Sequence, residues 1–228
     1  MPYSPESHSL MPTPPPLRTR VKICGLTRAQ DISAAVGAGV DALGFVFVPA
    51  SLRHVSLEQA ADLFAEVPAF VQTVALFLDP APSEVEAVIQ GLSPDLLQFH
   101  GQESGRFCRQ FSRPYIKALG IDLFTGDAVN RLPAVLADHP TARGFLLDSH
   151  ASGALGGTGG TFDWSHWPKG QSHRNNFILA GGLTADNAQQ AISTLHPYAL
   201  DVSSGVEDAP GIKSARKIFE FMTQVNLN

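Results

Sequence analysis

Side chains able to move protons stand at the ends of two short strand-like runs. Cys24 ends the run Val21–Cys24, and Asp148 ends the apolar run Gly144–Asp148. A cysteine accepts a proton only as the thiolate, which is well populated near neutral pH only if the pKa of the thiol falls from about 8.5. A carboxyl group among apolar side chains can keep its proton near neutral pH and donate it. The pair suggests proton-transfer chemistry, although a buried cysteine is often inert and such an aspartate often caps a turn.

Two further side chains, Arg53 and His100, follow strand-like runs and could contact a substrate. The guanidinium of Arg53 can bind a carboxylate through two parallel hydrogen bonds, although a solvated surface arginine fits the same position. His100 lies in the segment Gln98-Phe99-His100-Gly101 and could contact a substrate or hydrogen-bond within its own loop. The histidines show no H-x-x-x-H spacing and form no cluster with cysteines, so we expect no metal site.

Glycine-rich segments follow the last three strand-like runs and could hold an anion. They are residues 156–160, the pair Gly181 and Gly182, and Ser203-Ser204-Gly205, the last of which comes just after Asp201. Glycines let backbone N–H groups approach an anion, and a following helix adds partial positive charge. The last two segments together favour phosphate binding over simple tight turns.

Strand-like and helix-like stretches alternate along most of the chain. The predicted strands are Val21–Cys24, Ala42–Val48, Thr73–Leu78, Leu96–Phe99, Tyr115–Leu119, Gly144–Asp148, Phe177–Ala180 and Ala199–Val202. The predicted helices are Arg28–Ala38, Leu57–Ala65, Ser83–Gln90, Glu103–Phe111, Gly126–Ala137, Thr184–Thr194 and Ile212–Val225, with a short one around Asp163–Trp167. Ser56, Ser83 and Thr184 are candidate N-caps.

Helical crossovers between strands predict a parallel sheet, either closed into a (β/α)8 TIM barrel or open and doubly wound. An open sheet of that kind usually carries G-x-G-x-x-G after its first strand, and Cys24-Gly25-Leu26-Thr27 lacks it. We therefore predict a TIM barrel of parallel strands. Its carboxyl ends would share one mouth, bringing the candidate residues together.

Length and composition fit one such domain. The chain has 228 residues, 44% of them hydrophobic, and a formal net charge of −5, which argues against nucleic-acid and polybasic membrane partners. No apolar run reaches the roughly 20 residues of a membrane helix, and residues 1–18 lack the apolar segment of a signal peptide. We expect a proline-rich, disordered tail over residues 1–18, a single barrel domain over residues 19–228, and a cytoplasmic location.

Residues about 20 to 224 resemble the phosphoribosylanthranilate isomerase family of tryptophan biosynthesis. The resemblance is carried, in order, by Lys22-Ile23-Cys24-Gly25-Leu26-Thr27, Gln98-Phe99-His100-Gly101, Leu147-Asp148-Ser149, Gly156-Gly157-Thr158-Gly159, Phe162-Asp163-Trp164, Ala180-Gly181-Gly182-Leu183 and Asp201-Val202-Ser203-Ser204-Gly205-Val206-Glu207. Each motif alone is an ordinary glycine loop, and the ordered set is specific.

The resemblance implies a TIM barrel that catalyses an Amadori rearrangement without a metal or organic cofactor. N-(5-phosphoribosyl)anthranilate would become 1-(2-carboxyphenylamino)-1-deoxyribulose 5-phosphate, with Cys24 as general base and Asp148 as general acid. Arg53 would pair with the anthranilate carboxylate. The other implied substrate-binding residues are His100, Asp201, Gly157 and Gly159, and the implied phosphate-binding residues are Gly181, Gly182, Ser204 and Gly205.

Two other functions compete with this one. The related sugar isomerase of histidine biosynthesis uses two aspartates, whereas this chain offers Cys24 and Asp148. A non-catalytic phosphate-binding barrel would keep the glycine loops without a reason to keep Cys24, Asp148 and Arg53 together. We expect a small phosphorylated substrate as the partner and favour a monomer, with a homodimer as the alternative.

Overall fold

A computed structural model of the chain describes residues 18–120, 123, 131–148, 164–168 and 176–227. Its main sheet consists of β1 (Arg20–Cys24), β2 (Ala42–Val46), β3 (Gln72–Phe77), β4 (Leu96–Phe99), β5 (Tyr115–Gly120), β6 (Gly144–Asp148), β7 (Phe177–Ala180) and β8 (Ala199–Val202). Within these ranges the strands pair in chain order, all parallel, and β8 pairs with β1 to close the sheet. The predicted TIM barrel is confirmed.

Helices follow most of the barrel strands along the chain. They are α1 (Ala29–Gly37), α2 (Leu57–Ala65), α3 (Pro82–Leu92), α4 (Gly105–Arg109), α5 (Leu132–Asp138), α6 (Ala185–Leu195) and α7 (Ala215–Val225), with a 3-10 turn at Trp164–His166. Ser56 caps α2 as predicted, by accepting a hydrogen bond from the Gln59 N–H. Ser83 is not an N-cap, because α3 begins at Pro82, whose fixed φ suits a first helical position.

Side chains of each strand alternate between two apolar regions. On β7, Ile178 and Ala180 belong to a small cluster inside the barrel, whereas Phe177 and Leu179 pack in the larger cluster beneath the helices. This alternation follows from the two-residue period of a strand. The final inward position of a strand therefore faces the mouth, where a polar side chain can reach a ligand.

A short antiparallel hairpin replaces part of the last predicted helix. Residues Glu207–Ala209 form β9 and Ile212–Lys213 form β10, joined by a turn in which Gly211 has a φ of +77°. Helix α7 therefore begins at Ala215, three residues after the predicted start. The hairpin carries Glu207 and Lys213 toward Arg53, with which Glu207 forms hydrogen bonds.

Some predictions fall on residues outside the described ranges. These include residues 1–17 of the predicted tail, the start of the helix predicted from Gly126, and the glycine-rich residues 156–160. The first described residue, Arg18, pairs with Asp41 in front of β1. Among the helices of the described ranges, none is long and apolar enough to cross a membrane.

Candidate active site

The carboxyl ends of the strands surround one open cavity. Nine of the residues predicted from sequence line it together: Cys24, Arg53, His100, Asp148, Gly181, Gly182, Asp201, Ser204 and Gly205. Gly157 and Gly159 lie outside the described residues, so their predicted substrate contacts stay predictions. Apolar side chains such as Val46 and Leu76 fill the remaining wall. The cavity is thus mostly apolar with a few convergent polar groups, as small-molecule sites usually are.

Cys24 occupies the last inward position of β1 and is buried. Burial raises the pKa of its thiol, and the positive charge of Lys22 opposes that rise. Lys22 is itself buried two residues earlier, where its Nζ donates a hydrogen bond to Asp201 Oδ1 at 2.9 Å. Burial also raises the pKa of Asp201, and Lys22 opposes this effect as well. The thiol therefore shares its end of the cavity with a buried ion pair.

Asp148 ends β6 across the barrel from β1 and contacts His100. The Nε2 of His100 lies 3.2 Å from Asp148 Oδ2, and its Nδ1 lies 3.2 Å from the Nε2 of Gln98. Gln98 is fully buried on β4. If its amide donates to Nδ1, then the imidazole carries its proton on Nε2 and directs it at Asp148. Gln98 thereby orients the ring that touches the candidate acid.

The loop that carries His100 is fixed from below by a buried ion pair. Lys117 Nζ donates hydrogen bonds to the Gly101 carbonyl at 2.6 Å and to Glu103 Oε2 at 3.1 Å. Glu103 in turn accepts hydrogen bonds from the N–H groups of Gly101 and Asp79. Both charged side chains are at least nine-tenths buried. The pair supplies hydrogen-bond partners for backbone N–H and carbonyl groups of the loop, which have no strand or helix partner there.

Arg53 is held at the rim by the hairpin. Its Nε donates to Glu207 Oε1 at 2.9 Å, and its Nη2 donates to Oε2 at 2.7 Å. Lys213 Nζ adds a third hydrogen bond to Oε1 at 2.7 Å. Burial favours a higher pKa for Glu207, but these two cations together lower it. A Cβ at Gly25, whose φ is +79°, would collide with the Arg53 side chain, so a glycine is required there.

The two glycine loops meet on one side of the cavity. Gly181 and Gly182 adopt φ values of +87° and +63°, which residues other than glycine rarely adopt. The carbonyl of Leu183 lies so close to Gly205 that a Cβ there would overlap it. The loop after β7 leads directly into α6, and Ser204 opens the turn after β8. This arrangement suits an anion held by backbone N–H groups.

A family model described as N-(5'phosphoribosyl)anthranilate (PRA) isomerase matches residues 21–224. The chain belongs to this family. The isomerase from Bordetella bronchiseptica is 49% identical over 211 residues, which cover 92% of this chain and 96% of the relative.

Solved structures of the isomerase family have the same fold. One holds reduced 1-(o-carboxyphenylamino)-1-deoxyribulose 5-phosphate; it is 33% identical, with a TM-score of 0.78, and the match covers 92% of this chain and 100% of that one. Another describes monomers generated from the dimeric isomerase of Thermotoga maritima, 32% identical with a TM-score of 0.78 and the same coverage. The recognition of the isomerase family from sequence is confirmed.

Four residues that contact the candidate site residues or their partners were not predicted from the sequence: Lys22, Gln98, Glu207 and Lys213. Three of them stand within the quoted motifs, and Lys22 shares the strand face of Cys24 by the two-residue period. Lys213 gave no signal, because its contact with Glu207 depends on the hairpin. Among the described residues, no group of three or more His, Cys, Asp or Glu side chains could hold a metal ion.

Proposed function

We propose that the chain converts N-(5-phosphoribosyl)anthranilate to 1-(2-carboxyphenylamino)-1-deoxyribulose 5-phosphate, a step of tryptophan biosynthesis. The observation that carries this proposal is that Cys24 and Asp148, the candidate base and acid, line one cavity in a chain of the isomerase family. The reaction moves protons within one molecule and leaves its overall oxidation state unchanged. Two positioned proton-transfer groups therefore suffice for it.

The first step assigns Asp148 as the general acid. Its carboxyl proton passes to the furanose ring oxygen, the bond between C1 and that oxygen breaks, and the nitrogen lone pair forms a Schiff base at C1. His100, 3.2 Å from Asp148, holds the carboxyl group in place for this transfer. Asp148 is buried at the end of an apolar strand, which limits the contact of its carboxyl group with bulk water.

The second step assigns Cys24 as the general base. Its thiolate removes the proton from C2, the electrons of that C–H bond form the double bond between C1 and C2, and the C1–N π electrons return to nitrogen, which gives an enol. The enol hydroxyl then loses its proton as C1 gains one, which gives the ketone of the product, and proton exchange with solvent returns Cys24 and Asp148 to their starting forms. Burial opposes ionisation of the thiol, so the cations around Cys24 are needed to form the thiolate. Cys24 ends β1 and Asp148 ends β6, so the two groups approach the substrate from different sides of the barrel.

Binding is assigned to the remaining residues. The anthranilate carboxylate would meet Arg53, and the phosphate would meet Gly181, Gly182, Ser204 and Gly205. His100 and Asp201 would contact the ribose portion, as would Gly157 and Gly159 beyond the described residues.

We further propose a cytoplasmic location, in keeping with two free buried cysteines. The preference for a monomer stays a prediction, which sedimentation would distinguish from a homodimer.

Turnover of freshly generated N-(5-phosphoribosyl)anthranilate tests the proposal. The loss of its anthranilate-type fluorescence is followed, and the product is reduced with borohydride and compared by mass and retention with an authentic standard. We expect enzyme-dependent formation of the aminoketose phosphate. Absence of this product with folded protein would leave a phosphate-binding barrel without this activity.

A further inference from the structure

The buried lysine of β1 lies at the candidate base. Lys22 and Cys24 both point into the barrel, because they stand two residues apart on one strand. The ammonium of Lys22 is 2.9 Å from Asp201 Oδ1 on the neighbouring strand β8, with about a twentieth of the lysine exposed. A lysine is almost never buried without a partner. Asp201 supplies that partner and fixes where the ammonium sits.

A glycine on the other neighbouring strand makes room for the lysine beside the thiol. Gly44 of β2 is the register partner of Cys24. A Cβ built on Gly44 would lie 2.9 Å from Cys24 Sγ and 2.9 Å from Lys22 Nζ. The sulfur and the ammonium nitrogen therefore converge on the same empty space. Any larger residue at this position would push one of them aside.

Charged groups from four elements face Cys24. Lys22 of β1 lowers the pKa of the thiol most among the charges, Asp201 of β8 raises it, and Lys213 of β10 lowers it to a smaller extent. Arg53, in the loop after β2, also interacts with the Cys24 charge. Burial outweighs these charges and leaves the pKa above its ordinary value. Among the groups around Cys24, Lys22 therefore lowers the pKa of the thiol most and does most to offset the effect of burial.

The other cations are engaged elsewhere. Lys213 and Arg53 are both bound to the carboxylate of Glu207, at 2.7 Å each. Across the cavity, Asp148 and His100 act on Asp201 with opposite signs, Asp148 raising its pKa and His100 lowering it. Without Lys22, the Cys24 thiolate would lie near the negative charge of Asp201 and would lack the positive charge that stabilises it most.

We propose that Lys22, anchored by Asp201 in the space above Gly44, is a positioning residue whose ammonium is the counterion of the Cys24 thiolate. This inference rests on the proposed function, in which the thiolate removes the C2 proton. The ammonium stays in place while Cys24 passes between its charged and neutral forms. It acts through Cys24 and transfers no proton itself.

Alkylation of the free protein by iodoacetamide tests the proposal without any substrate. The rate of adduct formation at Cys24 is measured by peptide mass spectrometry across pH. We expect Lys22→Met to raise the pH midpoint by about one unit or more, because the nearby positive charge is lost. Asp201→Asn should lower the midpoint, since the thiolate then loses a neighbouring negative charge. Lys22→Arg should stay near the wild type.

The chain supplies its own controls. Cys108 is fully buried and burial raises the pKa of its thiol to about 12, so it should not react while the protein is folded. An adduct at Cys108 would reveal unfolding, and Asp201→Asn then carries the test in place of Lys22→Met. Arg216→Met removes a surface cation paired with Glu220 on α7 and should leave the Cys24 profile unchanged.

Turnover provides a second measurement. Lys22→Met should lower kcat at neutral pH about tenfold or more with KM nearly unchanged, and Lys22→Arg should restore most of it. The proposal would be overturned if folded Lys22→Met and Asp201→Asn were alkylated with the same pH profile as the wild type. It would also be overturned if Lys22→Arg had the same profile as Lys22→Met. Failure of the proposed function would instead appear as no turnover by the wild type, with the alkylation shifts intact.

Discussion

Arg53 donates two hydrogen bonds to Glu207, from Nε at 2.9 Å and from Nη2 at 2.7 Å. This occupies one paired edge of the guanidinium, the side formed by Nε and Nη2, and leaves the end formed by Nη1 and the second N–H of Nη2. Among the described residues, Nη1 has no hydrogen-bond acceptor. A substrate carboxylate would therefore meet this free end, while Glu207 holds the other side of the group at the rim of the cavity. Arg53 is oriented before any ligand arrives, which reduces the entropy lost on binding.

The first prediction concerns this carboxylate contact. Arg53→Ala should weaken binding of the carboxyphenyl product about 10- to 100-fold, because its charge-assisted hydrogen bonding to the carboxylate is lost. Binding is measured by fluorescence titration with the product and with its phenylamino analogue, which lacks the carboxylate. The variant should bind both equally weakly. If the wild type binds the analogue as tightly as the product, Arg53 does not recognise the carboxylate.

The second prediction separates a glycine at the candidate phosphate site from one elsewhere. Gly181 and Gly39 have nearly the same positive φ, +87° and +85°, but only Gly181 lines the cavity. Alanine at either position should cost about 1–2 kcal/mol of unfolding free energy, from backbone strain. Only Gly181→Ala should also weaken binding of ribose 5-phosphate in a calorimetric titration. Equal affinities in the two variants would argue against the loop after β7.

The third prediction concerns the ion pair beneath the His100 loop. Lys117→Met leaves Glu103 buried without its cation and should lower the unfolding free energy by about 3–5 kcal/mol. The matched control is Arg216→Ala, because Arg216 pairs with Glu220 on the exposed face of α7 and should matter by less than about 1 kcal/mol. Urea unfolding measures both. A small effect of Lys117→Met would mean that the loop is fixed by other contacts.

The fourth prediction concerns stability in acid. His139 is buried with its Nδ1 3.3 Å from the Tyr115 hydroxyl, and burial lowers its pKa to about 4. In the unfolded chain the pKa is about 6.5, so between these values only the unfolded state binds the proton. The unfolding free energy should therefore fall as pH drops from about 6.5 toward 4, by about 2–3 kcal/mol in total.

Urea titrations at several pH values measure this effect. His139→Gln should flatten the dependence between pH 6.5 and 4, although it lowers stability at neutral pH through the changed packing. His54→Gln serves as the control, since His54 is exposed and its replacement should keep the wild-type slope. An unchanged slope in His139→Gln would assign the acid sensitivity to other groups.

Local pattern predicts the barrel strands well because their periodicity is a local property. The structure has Leu96–Phe99, Gly144–Asp148, Phe177–Ala180 and Ala199–Val202 as expected, and the helix Leu57–Ala65 as well. Each is a short buried run or an amphipathic helix between clear turn residues. Because the carboxyl ends of barrel strands share one mouth, the predicted barrel also brought most candidate residues together, and nine of them line the cavity.

Contacts between distant residues could not be predicted in the same way. The bond between Lys22 and Asp201 joins residues 179 positions apart and requires the closure of β1 against β8. The last helix was predicted from Ile212, yet Ile212 and Lys213 form the second strand of a hairpin that brings Glu207 to Arg53 and Lys213. Tertiary pairing there overrides local propensity. The role of Glu207 as an anchor thus becomes visible only in the fold.

The most direct test of the proposed mechanism is the rate of fluorescence loss from N-(5-phosphoribosyl)anthranilate with the wild type, Cys24→Ser and Asp148→Asn. Each variant should turn over about 10²- to 10⁴-fold more slowly, because one proton-transfer group is removed, and should still bind the product. The far-ultraviolet circular dichroism should match the wild type. Turnover at the wild-type rate by either variant would contradict the assignment of that residue and the account built on it.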